Sequence, residues 1–316
     1  MNAALIIATG RNAQCIDFES QDDGLKSQSK IGAIPSVKRI IQTFHRAGID
    51  YVVVVCDGNS DSIEKSAAHM NVIFLHNSED AEMFDSVKLG LAYLMDKCSK
   101  AIITHVDTPC FSVDTVRALI AAKGSVCVPT HNGIAGYPVL LCADQFTSVS
   151  SYQNTGGLAG AIMDSGLQRT MVEVDDEGIF VDVYNYDNYE HFLLEHNELS
   201  SNDFYLDIRL RIIKDRPCYG PGAHHLLQLT DETNSLREAC RRMGISYGKG
   251  RSIISLIERQ LGYPMIESQQ GGKTGGNSVV TEDGKKLMRS YSAFNAEAKQ
   301  YLNELFRKHF SPSDFE

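Results

Sequence analysis

The sequence predicts an α/β protein, a mostly parallel sheet with helices on both faces, followed by a smaller winged helix-turn-helix domain. Three observations predict it. From Met1 to about Tyr189, short β-rich runs alternate with helical periods, and the runs are almost wholly apolar. Strands of that kind, separated by helices, belong to a sheet buried on both faces. At Ser235 and Glu238 a capping box opens a pair of short helices, and a Gly-rich loop between two β-prone pairs follows them.

In the front part, strands are predicted at Ala4–Thr9, Tyr51–Cys56, Val72–His76, Ala101–Val106 and Ser125–Pro129. Later ones fall at Pro138–Cys142, Thr170–Val174 and Ile179–Val183. Helices at Pro35–Ala47, Ser62–His69, Met83–Met95 and Val113–Ala122 lie between the early strands. Ligands of such sheets bind outside the carboxyl ends of the strands. The first of those ends carries Ala8-Thr9-Gly10-Arg11, a small-residue turn whose amides can wrap a phosphate. The fourth carries His105-Val106-Asp107-Thr108-Pro109. A carboxylate there can hold Mg²⁺ against substrate phosphates, or it can cap the next helix.

Residues 198–222 read as a linker with an amphipathic strand. NELSSND is polar, Phe204–Ile213 alternates apolar and charged residues, and Pro217, Gly220, Pro221 and Gly222 break the chain. The last domain spans 223–316. Leu236, Ala239, Cys240 and Met243 form one apolar face, and Gly244 suits a left-handed helix end. A second helix opens near Ser246, burying Ile253, Ile254, Ile257 and Leu261. Its other side carries Lys249, Arg251, Ser252, Ser255 and Arg259, a basic and hydroxylic face suited to DNA. QQGGKTGGNS then places Lys273 on a wing able to follow a phosphate backbone. Thr281 caps a final helix whose Leu287, Tyr291, Phe294, Ala298, Tyr301 and Leu305 repeat at heptad spacing. That seam either packs on its own domain or joins two copies in a homodimer that matches two half-sites.

Composition bounds these readings. Hydrophobic residues make up 43% and charged residues 22%, ordinary for a globular chain. No apolar run approaches the ~20 residues that span a bilayer, so no membrane association is expected. MNAALIIATGRN lacks a basic leader, and the eight cysteines are scattered without a C-x-x-C pair. Reduced thiols, with Cys56, Cys127 and Cys142 as small buried hydrophobes, fit a cytoplasmic protein. The net charge of −10 is uneven: from Tyr205 on, 17 basic residues face 13 acidic ones, leaving −14 for the front. An acidic front joined to a mildly basic back suits one domain that avoids DNA and one that approaches it. His224 and His225 have no Cys or His partners at ligand spacing, and solvent-exposed or capping roles are expected for them.

Two resemblances follow from these residues. SLREACRRMGISYGKG, IERQLGYPMIE and GGKTGGNSVVTEDGKKL closely resemble the winged-helix domain of ModE-type molybdate regulators, related to LysR-type DNA-binding domains. The resemblance implies a double-stranded DNA partner, contacted through Ser246, Tyr247, Lys249, Arg251, Ser252 and Lys273. LIIATGRNA, IGAIPSVKRIIQTFHRAGIDYVVVV, HVDTP, HNGIAGYPVLL, NTGGLAGAI and GIFVDVYNYDNY are colinear over about residues 1–190. They resemble the MobA-like nucleotidyltransferases, particularly the molybdenum cofactor cytidylyltransferases, which implies a Rossmann-like nucleotidyltransferase fold over 1–197.

That family resemblance implies attack by a substrate phosphate on the α-phosphorus of an NTP, CTP or GTP, with Mg²⁺ and with pyrophosphate leaving. It assigns nucleotide binding to Ala8, Thr9, Gly10 and Arg11, charge neutralisation to Lys26, and metal binding to Asp107, with Asp182 as a second metal position for which Asn185 is the nearby alternative. Lys30 is a rival for Lys26. A molybdopterin-type cofactor is the implied acceptor. The chain departs from the pattern at Gln14, where an Arg is usual, and at Tyr184, where an acid or amide is usual. Tyr137 replaces the usual His of a G-H-P turn, and CIDFESQDDG adds negative charge to the loop. Two functions therefore stay open: an active transferase joined to a transcriptional regulator, or a regulator whose transferase-like domain is an inactive nucleotide or cofactor sensor.

Overall fold

Alternate residues of β1 (Asn2–Ala8) face opposite sides of the sheet, and both sides are dry. Ala4, Ile6 and Ala8 lie in a core with Val37, Ile40, Ile41 and Phe44 of α1 (Ser36–Arg46) and Val116 and Leu119 of α4 (Val113–Ala121). Leu5 points the other way, against α3 (Met83–Leu94), which approaches so closely that Gly90 leaves no room for a β-carbon beside it. A strand covered on both faces is apolar along most of its length, hence the unbroken ALIIA run.

The computed structural model describes residues 1–9, 36–57, 61–67, 70–78, 81–183, 192, 206, 208–269 and 277–310. The chain divides into two units, Met1–Asn197 and Glu198–Glu316. In the first, β1 lies parallel to β2 (Tyr51–Cys56) and β4 (Lys100–His105), and β2 lies parallel to β3 (Val72–His76). The remaining strands are β5 (Val126–His131), β6 (Ile134–Ala135), β7 (Val139–Cys142) and β8 (Arg169–Glu173). The order is β3-β2-β1-β4-β7-β5-β6, with β8 parallel on β5. β7 runs antiparallel to both β4 and β5, so the predicted parallel sheet holds for its centre and gives way to mixed pairing on one side. α2 (Asp61–Ser66), α5 (Phe146–Ser150) and α6 (Gly157–Asp164) complete the described helices of this unit.

One predicted strand is corrected. Ile179–Val183 does not join the sheet; Glu177–Phe180 forms a 3₁₀ turn. Asp176 explains it: its carboxylate accepts from Gly178 N at 3.0 Å, from Ser112 N at 2.7 Å and from Thr115 Oγ1 at 2.5 Å. Those bonds hold the segment to the start of α4, where no strand edge is available.

In the second unit, β9 (Ile212–Ile213) pairs antiparallel with β10 (Pro217–Tyr219), a shorter strand than the alternation over Phe204–Ile213 predicts. α7 (Pro221–Thr233), α8 (Leu236–Arg242) and α9 (Tyr247–Leu261) follow. The Ser235 hydroxyl accepts from Glu238 N, and Gly244 takes a φ of +61° after α8. Leu226, Leu227, Leu236, Ala239, Ile254 and Ile257 are buried between these helices. β11 (Ile266–Gln269) and β12 (Asn277–Val280) form an antiparallel ribbon. α10 (Glu282–His309), capped by Thr281, ends the described chain. At 28 residues it is about 42 Å long.

Candidate functional site

At the carboxyl end of β1, Ala8 is buried in register with Cys56, and Thr9 is buried beside it. The Thr9 hydroxyl donates to Ser86 Oγ at 2.9 Å, and Asn77 Nδ2 donates to the same oxygen at 3.2 Å. These bonds tie the ends of β1 and β3 to the first turn of α3. Thr9 therefore spends its hydroxyl inward, within the fold. Gly10, Arg11, Gln14, Lys26, Lys30, Tyr184, Asn185 and Lys273 lie outside the described residues.

Asp107 sits in a tight turn after β4. Val106 N donates to Ile7 O at 3.0 Å, extending the pairing with β1. His105 O then accepts from Thr108 N at 3.3 Å and from Thr108 Oγ1 at 3.2 Å. Asp107 does not cap the next helix: Ser112 does, accepting from Thr115 N at 3.1 Å. The 176–183 segment reaches this turn by three attachments. Asp176 pins its start, Tyr137 N donates to Ile179 O at 3.0 Å, and Val183 N donates to Asp107 O at 2.9 Å. Gly136 permits the middle one, because a β-carbon there would run into Ile179 O.

Electrostatics follows from that placement. Burial raises the Asp107 carboxyl above its ordinary range, and the Asp182 charge raises it further. Burial pushes His105 down to about 4, partly opposed by Asp182. Tyr137 is raised by burial and by Asp107. The rings of His105 and Tyr137 meet edge to face with centroids 4.8 Å apart. Asp107 and Asp182 thus share one partly dry site, and two hard oxygen donors of like charge suit a divalent cation. The sequence pointed to both aspartates; the His105–Tyr137 contact had no signal in it, because side chains 32 positions apart meet only when β4 and β7 pair.

The second unit presents a different surface. Lys249, Arg251 and Ser252 are exposed on α9, as are Ser246 and Tyr247 at its start. Ser246 Oγ caps α9 by accepting from Lys249 N at 3.2 Å, and Ser252 Oγ donates to Gly248 O at 2.9 Å. Both hydroxyls therefore have local duties. Gly250 is buried where α9 crosses α8, and a β-carbon there would overlap Cys240 Sγ. On the opposite side Glu258 Oε1 accepts from Met265 N at 2.9 Å, holding the ribbon to α9. His224 and His225 are neither exposed nor capping. His225 is buried, and His224 joins Tyr219 Oη at 2.9 Å to Ser292 Oγ at 3.0 Å. On α10 the heptad seam splits: Tyr291 is buried and donates to Leu210 O, whereas Phe294 and Tyr301 are 57% and 65% exposed.

Comparisons with known proteins find molybdenum-related relatives. The molybdenum cofactor cytidylyltransferase of Escherichia coli K12 is 25% identical over 129 residues, 40% of this chain and 65% of that protein. The molybdenum-pterin-binding proteins MopB and MopA of Rhodobacter capsulatus match the C-terminal region. MopB is 32% identical over 78 residues and MopA 27% over 89, covering 25% and 28% of this chain. The chain spans only 29% and 34% of those two proteins, and less than two thirds of the cytidylyltransferase. In fold, a nucleotidyl transferase from Methanothermobacter superposes with a TM-score of 0.50 at 20% identity, over 62% of this chain and 99% of its own. No helix among the described residues is long and apolar enough to cross a membrane. Residues 4–170, more than half of the chain, match the MobA-like NTP transferase domain, and the protein belongs to that family.

Proposed function

We propose that this protein joins a metal-dependent nucleotidyltransferase, working on a nucleotide and a molybdopterin-type acceptor, to a winged-helix DNA-binding regulator. The single observation that carries the enzymatic half is the placement of Asp182 beside Asp107 at the carboxyl end of β4. Nucleotidyl transfer needs charge neutralisation and in-line positioning more than a protein nucleophile. Asp107 and Asp182 would hold Mg²⁺, which when bound supplies that neutralisation for the NTP phosphates. Amides of the turn after Thr9 would hold the phosphates, and Lys26 would add a positive charge. Tyr137 and His105 wall the site beside the carboxylates, and burial keeps His105 neutral at pH 7. CTP or GTP is the nucleotide expected, and the molybdenum-related names of the matched relatives support the acceptor class.

The regulatory half rests on the exposed basic face of α9, next to a two-stranded ribbon. Double-stranded DNA would lie along Lys249, Arg251 and the Lys273 wing, in a cytoplasmic homodimer joined through the exposed stripe of α10. A second reading has its own support: Gln14 and the acidic CIDFESQDDG stretch disfavour a triphosphate. In that reading the front unit is a nucleotide or cofactor sensor without turnover.

Calorimetry with CTP, GTP and ATP plus Mg²⁺, on the intact protein and on Asp107→Ala, tests the site. Selective binding that the variant loses supports it, and binding unchanged in the variant removes Asp107 from it. Pyrophosphate release with a pterin acceptor then separates transferase from sensor.

A further inference from the structure

α8 carries three arginines, and two of them are hydrogen-bonded to one carboxylate. Arg241 donates through Nε and Nη2 to Glu238 at 2.9 and 2.8 Å, and Arg242 Nε reaches the same carboxylate at 3.0 Å. Glu238 is held down to about 2 by Arg241 and Arg242, so it stays charged and engaged. Arg237, the second residue of α8, makes no hydrogen bond or ion pair among the described residues. Its guanidinium instead lies over the ring of Tyr247, 5.2 Å from the centroid. Tyr247 is the first residue of α9 and is 43% exposed.

A guanidinium resting on an aromatic face keeps its N–H edges free while the ring limits its motion. Less rotamer freedom is then lost when a phosphate oxyanion takes the fork. Arg251 stands four residues after Tyr247 on the same side of α9, so the ring is flanked by two arginines. The acid of α9, Glu258, is turned to the Met265 and Ile266 amides and does not offset them. Charge of one sign, spaced along the start of α9 and reaching back onto α8, is complementary to a phosphodiester backbone.

We infer that Arg237 is a DNA-phosphate contact and that Tyr247 acts as its positioning residue, holding the guanidinium instead of reading bases. This rests on the DNA-binding reading of the second unit. Phosphate contacts are indifferent to sequence, so a mixed-sequence duplex serves as the probe.

The experiment is anisotropy of that duplex with the full chain across a salt series. Arg237→Ala lowers the slope of log affinity against log salt by about one. Tyr247→Leu loses a comparable part of the slope, and Tyr247→Phe, which keeps the ring, restores it. Arg241→Ala leaves the slope alone, because the Nε and Nη2 donors of Arg241 are already taken by Glu238. A wild-type slope in Arg237→Ala overturns the inference while leaving DNA binding intact, and so do Tyr247→Phe and Tyr247→Leu behaving alike. A wild-type chain that binds no duplex at low salt removes the DNA-binding reading itself, and the inference falls with it.

Discussion

The backbone N–H of Val183 donates to the carbonyl oxygen of Asp107 at 2.9 Å. Residues 76 positions apart are joined there, and Asp182 comes beside Asp107 as a consequence. Burial and the Asp182 charge both raise the Asp107 carboxyl. Without metal, the folded state therefore binds a proton more readily than the unfolded chain does. Stability from this group is present at low pH and is lost as pH rises through the folded value. Asp107→Asn is expected to raise the metal-free melting temperature at pH 7 and to abolish the stabilisation by Mg²⁺ that the proposed site predicts for the parent chain. Differential scanning calorimetry with Mg²⁺ and with EDTA checks both halves.

Glu238 has the opposite sign. Bonds to Arg241, and then to Arg242, hold it at about 2, against an ordinary value of 4.5. Its contribution is present above the ordinary value and disappears as pH falls from there towards 2. The carboxylate is partly exposed, so we expect roughly 1–2 kcal/mol from it after solvent screening. Glu238→Gln should lower the urea stability of the second unit by that amount at pH 7 and by much less near pH 2.

His225 is buried, its Nδ1 has no partner among the described residues, and burial pushes it down to about 4. The unfolded chain takes up this proton first, so stability is full above pH 6.5 and falls as the solution is acidified towards 4. The loss is about 3 kcal/mol across that window for His225 alone. His225→Leu should flatten the profile and leave stability at pH 7 equal or higher. Chemical denaturation at half-unit pH intervals would show it, and an unchanged slope would contradict it.

Gly250 packs where a β-carbon would meet Cys240 Sγ. Gly250→Ala should cost about 1–3 kcal/mol through overpacking of α8 against α9. Pairing it with Cys240→Ala removes the obstructing sulfur and should recover most of that loss. Equal destabilisation in the single and double variants would mean the strain lies elsewhere.

Much of the fold was legible because its signals are local. The apolar runs of β1 to β4 named themselves, since a strand covered on both faces carries few polar residues. Ser235, Ser246 and Thr281 marked helix starts, because each hydroxyl satisfies an amide three residues on. Ile179–Val183 misled for the same reason. Its β-branched residues suit a strand, but Asp176 binds the segment to α4 before a sheet edge can form.

The sequence by itself determined most of the central strands and helices, the capped helix starts, and that Asp107 follows a buried strand. Each of those depends on neighbours a few positions away. Only the tertiary structure decided that β7 lies antiparallel between β4 and β5, and that His105 therefore meets Tyr137. It also decided that Arg237 rests on Tyr247 while Arg241 and Arg242 are spent on Glu238. Composition counts those arginines equally. Which of them keeps its N–H donors open for a partner depends on which carboxylate the packing places within reach, and no local pattern encodes that.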